Sequence, residues 1–385
     1  EIASCLVVSE MCIRDSSSTA LNPGDRAVVR GKIYPFTARH GGYGRLMTRR
    51  GYVGTLYLNR SSLLLSDTLH RELSPKHLSL FLHERAVARL DRLALAPDEQ
   101  ALCNAMTAGD RRSLSPALRA AYSRSGTSHL LAVSGLHVGI VFLLANLLLW
   151  WLPLFRHGHI LRNIAVILLI WLYAATTGFP PSVVRAALMF SVLQFALASS
   201  SEYVGMNTLA GVAFVMLLFH PDYLFDISFQ LSFIAVAGII AWGLPLCRLL
   251  RTRRKSIDML TATLAIGFSA SAATAPLISH TFGQISVVGL ALNPVVILLS
   301  YVVVGSCTLW LVIPGTVLAP LFSVVAGFAA RAQNELIRAA AALPAAALDI
   351  RLTTTQCWIV YGLFIFATLL LWSAERKKSV SSLPE

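Results

Sequence analysis

The sequence predicts a polytopic α-helical membrane protein of about seven to nine spans, preceded by a small β-rich region. Three observations carry this. Of the 385 residues 56% are hydrophobic and only 13% are charged, against roughly 25% charged in a soluble domain. From Leu130 onward, apolar stretches follow one another almost without pause, each near the roughly 20 residues that a helix needs to cross a bilayer. Before that point the apolar runs are short and alternate with polar residues. A soluble protein with a very large core is excluded, because it would need many more charges to cover its surface.

The first residues, EIASCLVVSEMCIRDSSS, share no pattern with the rest of the chain. CLVVSEMCIRDS resembles a translated sequencing-adaptor stretch, so residues 1–18 are expected to be a non-native leader. LNPGDRAVVRGKIYPF then alternates apolar and polar residues after a Pro-Gly turn, as a half-buried strand does. GRLMTRRGYVGTLYL adds two short strands, giving a partial barrel over 19–73. Its Tyr43, Arg45, Arg49, Arg50, Tyr52 and Tyr57 combine cations with ring faces, which suits either the ordinary polar faces of small strands or, with these six as candidate DNA-binding residues, a nucleic-acid-binding barrel. Between Gly24 and Ser128 there are 17 Lys/Arg against 8 Asp/Glu, a balance that attracts either anionic lipid or a polyanion.

Residues 74–128 change to helical spacing. Leu78, Leu82, Val87, Leu90 and Leu93 recur on one side with Arg85, Arg89 and Arg92 between them, either a surface-lying amphipathic helix or a packing face. ALCNAMTAGDRRSLSPALRAAYSRSGTSH reads as two short helices broken at Gly109-Asp110 and Ser115-Pro116. The membrane region, 129–375, holds candidate spans near 131–154, 163–178, 183–199, 204–219, 227–246, 258–280, 285–313 and 356–373. The Ala-rich segment from Thr316 to Leu348 is expected either to span or to lie at the interface. A basic tail, 376–385, closes the chain.

Basic short loops mark the cytoplasmic side. RLLRTRRK, Arg248 to Lys255, is the strongest cluster, and the connection with Arg156 and Arg162 falls with it. The β-rich region is then expected outside the cytoplasm, since long domains translocate largely regardless of charge. The six cysteines form no CxxC pair, so neither zinc nor a disulfide framework is expected.

The ordered set of motifs resembles the bacterial competence proteins of the ComEC/Rec2 type. SHLLAVSGLHVGIV is similar to that family's signature, LNPGDRAVVRGKIYP to its extracytoplasmic OB-fold region, and AGDRRSLSPALRAAYSRSGTSH to its lead-in helices. PPSVVRAALM, HPDYLFDISFQLSF and APLISHTFGQISVVGLALNPVV resemble successive membrane blocks. The resemblance covers roughly residues 20 to 375. It implies an inner-membrane channel that passes one DNA strand during natural transformation, with single-stranded DNA, the bilayer, a DNA receptor and a cytoplasmic motor or single-strand-binding proteins as partners, and a homo-oligomer as a possible assembly. The family's further N-terminal spans, and the HxHxDH motif of the metallo-β-lactamase-like domain that many members carry, do not occur here. His157-Gly158-His159 lacks the following Asp-His. No cofactor, no metal and no catalytic residue are therefore expected. The alternatives are the membrane part of a nuclease-channel enzyme, or a small-solute secondary transporter. The transporter would want mid-bilayer acids that are nearly absent.

Within the signature, Gly135 and Gly139 stand four apart, a spacing that admits close helix approach in lipid, with Ser134 beside them. His129 and His137 are eight apart, about 80° around one helix. Polar groups inside lipid face a bundle interior or a wet path, so these five, with Arg185, Asp226, Gln230 and Asn293, are pore or gating candidates; the alternative for the signature is a tight packing seam with satisfied histidines. Arg185, one turn inside PPSVVRA, is expected either to snorkel to the interface or, in the sharper reading, to pair with Asp226 at the pore mouth. Gln230 and Asn293 are further polar intrusions, and Asn-Pro in LALNPVV suggests an interrupted helix. Gln194 is expected to bond to a neighbouring helix.

Overall fold

The computed structural model describes residues 26–29, 32–35, 48, 54–56, 63–67, 75–199, 205–286, 288–313, 318–343 and 347–381. The chain divides into two units, Glu1–Arg85 and Ala86–Glu385. In the first, β1 (Arg26–Val29) pairs antiparallel with β4 (Leu63–Asp67), and β2 (Ile33–Pro35) with β3 (Gly54–Leu56). Among the described residues these are two separate two-stranded sheets rather than a closed barrel. The six candidate DNA-binding residues, Tyr43, Arg45, Arg49, Arg50, Tyr52 and Tyr57, lie outside the described residues.

Helix α1 (Pro75–Leu90) runs across the boundary between the units. It is followed by α2 (Pro97–Thr107) and α3 (Pro116–Arg124). Both begin with proline in the first turn, where no intrahelical N–H is needed, and Ser115 caps α3 by accepting from the Leu118 N–H at 3.2 Å. The break between them follows Gly109-Asp110, as the sequence indicates. In the expected α1 stripe Val87, Leu90 and Leu93 are buried, whereas Leu78 is exposed. Of the interleaved arginines Arg85 and Arg92 are exposed, whereas Arg89 is not simply solvated. Arg89 donates to the Trp310 and Ile313 carbonyls at 3.1 and 2.6 Å, while the Trp310 indole N–H donates back to the Arg89 carbonyl at 2.9 Å.

The apolar helices come in order: α4 (Gly135–Leu148), α5 (Gly158–Thr176), α6 (Pro181–Ser199), α7 (Gly205–Phe219) and α8 (Ile227–Gly238). A π-helical turn, Ile239–Gly243, joins α8 to α9 (Leu244–Leu249). Then come α10 (Lys255–Phe282), α11 (Val288–Val312), α12 (Ala319–Ala341) and α13 (Thr354–Ser381), with a two-residue pairing of β5 (Ile285–Ser286) to β6 (Ala347–Leu348). Among the described residues five segments are long and apolar enough to cross a membrane: Gly135–Leu154, Gly158–Thr176, Ile227–Leu249, Ile257–Phe282 and Leu292–Val312. Three shorter apolar helices, Pro181–Ala196, Gly205–Phe219 and Thr354–Leu369, accompany them.

On α5, Val166, Ile170, Tyr173 and Ala174 are buried, yet Ile160, Ile164, Leu168 and Leu172 stand exposed at four-residue intervals on the other face. A helix apolar all round has to be covered on both sides, and an exposed apolar face on a helix this long is the kind that lipid covers. The expected interruption of LALNPVV does not occur. Helix α11 passes through Asn293 and Pro294 without a break. Pro294 is the seventh helical residue, so its missing N–H costs one hydrogen bond near the helix start rather than a mid-span ladder. The densest core lies where α2 and α3 meet α11 and α12, around Leu102, Met106, Leu118, Tyr122, Val303 and Ala330.

Candidate functional site

The signature stretch does not form one helix. Ser128–Leu131 is a 3₁₀ turn, residues 132–134 are extended, and α4 begins at Gly135 with Ser134 as its N-cap (φ −124°, ψ 176°). The expectation that His129 and His137 share a helix face is corrected accordingly. His129 is exposed on the turn, and His137 is fully buried in the first turn of α4. The physical reason is local. The Ser134 N–H donates to His137 Nδ1 at 3.0 Å, so the imidazole takes the place that Glu or Gln holds in a capping box, and the bond starts a new helix. The turn before it is held by Ser125 and Thr127, whose hydroxyls meet at 2.7 Å. Gly126 adopts φ +75° there, and a Cβ on it would come within 2.3 Å of the Ser286 Cβ.

Gly135 and Gly139 both face α6. A Cβ on Gly135 would lie 3.1 Å from Arg185 Nη2 and 3.6 Å from the Ala186 Cβ, and one on Gly139 would lie 3.3 Å from the Phe190 ring. Absence of side chains on α4 therefore brings α6 close, and the Ser182 hydroxyl fastens the seam by donating to the Val133 carbonyl at 2.9 Å.

Arg185 sits in this seam only 6% exposed. Its expected pairing with Asp226 is not among the ion pairs of the described residues. Asp226 instead caps α8, accepting from the Ser228 N–H at 2.7 Å, which holds that carboxylate at its own helix start. The guanidinium lies over the Phe233 ring of α8, 5.6 Å from its centroid, a cation–π placement. Among the described residues its Nε and Nη1 are buried without a hydrogen-bond partner, as is Nε2 of His137.

Gln230, one turn before Phe233 on α8, points elsewhere. Its amide donates to the Leu224 carbonyl at 2.7 Å, and the residue lines a cavity of about 680 Å³ bounded by α8, the π turn, α10 and α13. Trp242, His280, Trp358, Tyr361 and Phe364 share its walls. The rings are fixed: Trp242 donates to the Thr368 hydroxyl at 2.7 Å and meets Phe364 edge-on at 4.8 Å, while the Tyr361 hydroxyl donates to the Ala273 carbonyl at 3.1 Å. The π turn widens the helix at Trp242, and such turns recur at functional sites. Asn293 lies apart on α11, half-buried, its Oδ1 without a partner among the described residues. Gln194 makes the expected helix-to-helix bond, donating to the Asn163 Oδ1 of α5 at 2.6 Å.

Sequence reasoning does not find the cavity aromatics. Their signal is present in α13 as Trp358, Tyr361, Ile365 and Thr368, a run at helical spacing that puts one face on the cavity. A second polar groove, about 360 Å³, lies between α2 and α12. There Arg331 donates to Glu99 at 2.6 Å, and Arg338 bridges Asp98 and Glu335. The ion pair with Glu99 holds the Arg331 guanidinium above its usual pKa. These cations are matched by acids, so the groove joins helices instead of presenting positive charge.

Comparison with known proteins bears on residues 106–377, which match the family described as "Competence protein". The chain is similar to the Bacillus subtilis protein named ComE operon protein 3, 32% identical over 204 residues, which are 52% of this chain and 24% of that protein. It is 29% identical over 201 residues to an uncharacterized protein of Aquifex aeolicus, covering 52% of this chain and 45% of that one. The chain thus spans less than half the length of either relative. No solved structure matches it.

Proposed function

The chain belongs to the competence protein family, and from that premise we propose that its helices carry a single DNA strand across the bacterial cytoplasmic membrane during natural transformation. The observation that carries this reading is the ring-lined cavity between α8, α10 and α13. Single-stranded nucleic acid is held by aromatic faces that accept any base, together with cationic groups along its backbone. Trp242, Trp358, Tyr361 and Phe364 supply the faces, and Gln230 and His280 supply polar groups beside them. The seam of Ser134, Gly135, His137, Gly139 and Arg185 is the gating element, coupled to the cavity through α8, which carries both Phe233 and Gln230.

In this reading the β-rich region folds as an OB-like domain on the extracytoplasmic side, with Arg45, Arg49, Arg50 and their neighbouring tyrosines docking the incoming strand. The chain works without chemistry of its own. No GxxxxGK[ST] loop occurs in the 385 residues; in this reading a motor or capture of the emerging strand by a binding protein supplies the drive. Deleting the gene and following labelled DNA tests the proposal. Surface-bound DNA should persist while cytoplasmic single strands disappear. Normal cytoplasmic entry in the deletion strain refutes it.

A further inference from the structure

We propose that Arg185, His137 and the first turn of α4 form a receptor for one phosphodiester group of the strand in transit, closed in this arrangement of the helices. The inference rests on the translocation reading and adds to it the chemistry of one contact.

The starting point is a set of donors left over. Arg185 is charged at any physiological pH, is 6% exposed, and has two buried nitrogens, Nε and Nη1, that reach no acceptor among the described residues. A buried charge without a partner is strongly destabilising unless an opposite charge arrives. Beyond the Phe233 ring no charged partner comes from the surrounding helices, because α4, α6 and α8 contain no Asp or Glu. Asp226, the nearest acid in sequence to α8, caps that helix.

The second orphan is His137 Nε2, on a fully buried ring. Since Nδ1 accepts the Ser134 N–H, the ring proton sits on Nε2, which is therefore a donor. All three unpartnered atoms donate and none accepts. His137 is the third residue of a 14-residue helix whose dipole also favours an anion. Arg185 Nη2 is aimed there, 3.1 Å from where a Gly135 Cβ would be. Such a site calls for an anion with several oxygens and no proton to give, and a guanidinium fork matches the two non-bridging oxygens of a phosphodiester.

Strand and lipid both carry phosphodiesters. The strand is the occupant argued for, because Arg185 is 6% exposed and His137 fully buried, with the guanidinium over Phe233 of α8 and beside Gly135 of α4, within the bundle.

The test uses the full chain in nanodiscs of phosphatidylcholine and a fluorescein-labelled 20-mer of deoxythymidine, titrated from low to high NaCl. Removing one phosphate contact lowers the slope of log affinity against log salt by about 0.7 for single strands. Arg185→Gln should lose about that much slope and bind more weakly. Arg185→Lys should keep the slope but bind less tightly, because a point charge replaces the fork. Thermal unfolding in the same nanodiscs confirms that the variants fold. If Arg185→Gln does not fold, Arg185→Lys carries the test, and an affinity equal to the unaltered protein's overturns the proposal. An unchanged slope and affinity in Arg185→Gln also overturns it, as does loss of co-purifying anionic lipid with the oligonucleotide slope intact. No oligonucleotide binding by the unaltered protein refutes instead the translocation reading beneath it.

Discussion

Gly238 closes α8 onto α10, and adding one methyl group there tests whether the cavity wall depends on that contact. A Cβ on Gly238 would stand 2.5 Å from the Ala273 Cβ and 3.0 Å from the Ser269 carbonyl oxygen. Carbon atoms in contact sit about 3.5–4.0 Å apart, so the two helices have to separate locally by about 1 Å or more. Overpacking of this kind costs about 1–3 kcal/mol. Gly267, on α10, has nothing within 4 Å of its Cβ position. There alanine gains up to about 1 kcal/mol of helix propensity, which separates the packing effect from the backbone effect. Thermal unfolding of the detergent-solubilised protein should place Gly238→Ala below the unaltered protein and Gly267→Ala at or above it. Because Ala273 supplies the nearest clashing atom, Ala273→Gly in the Gly238→Ala background should recover most of the loss, a coupling expected only of residues in contact. Gly238 and Ala273 both line the cavity, so DNA entry should fall and recover with stability. A Gly238→Ala protein as stable as Gly267→Ala would falsify the seam, and failure of the Ala273→Gly rescue would point to a different clash.

Further outcomes come from the same geometry. Trp242→Ala removes a ring fixed by Thr368 and Phe364, and stacking is worth about 1–3 kcal/mol per base; cytoplasmic entry of labelled DNA should drop while surface binding holds. His137→Gln should preserve the start of α4, since Gln fills the same capping position, whereas His137→Leu should lose about 1 kcal/mol of stability, read as a lower unfolding temperature. Stability should fall as the medium becomes alkaline. The Cys103 thiol, hydrogen-bonded with Cys307 and buried, is held well above its ordinary value of 9.0, and burial pushes the Tyr122 hydroxyl above its ordinary 10.0. Both keep in the folded state a proton that the unfolded chain releases, so the stability they contribute is complete below about pH 9 and declines above it, by up to about 1.4 kcal/mol per pH unit for each proton. Cys103→Ala and Tyr122→Phe should flatten that decline; an unchanged pH profile in both refutes the assignment.

Much of this protein is legible in its residues. Lipid and water act on every side chain by the same rule wherever it lies in the fold, so composition and the run of apolar segments from Leu130 are enough to mark a multi-helix membrane protein, although among the described residues only five of the eight expected spans are long and apolar enough to cross. Prolines at first turns and the Gly109-Asp110 break set helix limits through backbone geometry alone, which is equally local. The contacts that matter for function are not local. Nothing in the string says that Gly135 makes room for the Arg185 guanidinium fifty residues later, that Asp226 is spent on a helix cap, or that Trp242 and Phe364 meet across a cavity. A histidine replacing the usual Glu or Gln of a capping box also hides the point where α4 begins. Each of these depends on which faces meet when the helices associate, and in lipid that is decided by close packing and by polar partners, terms that exist only between helices already placed side by side.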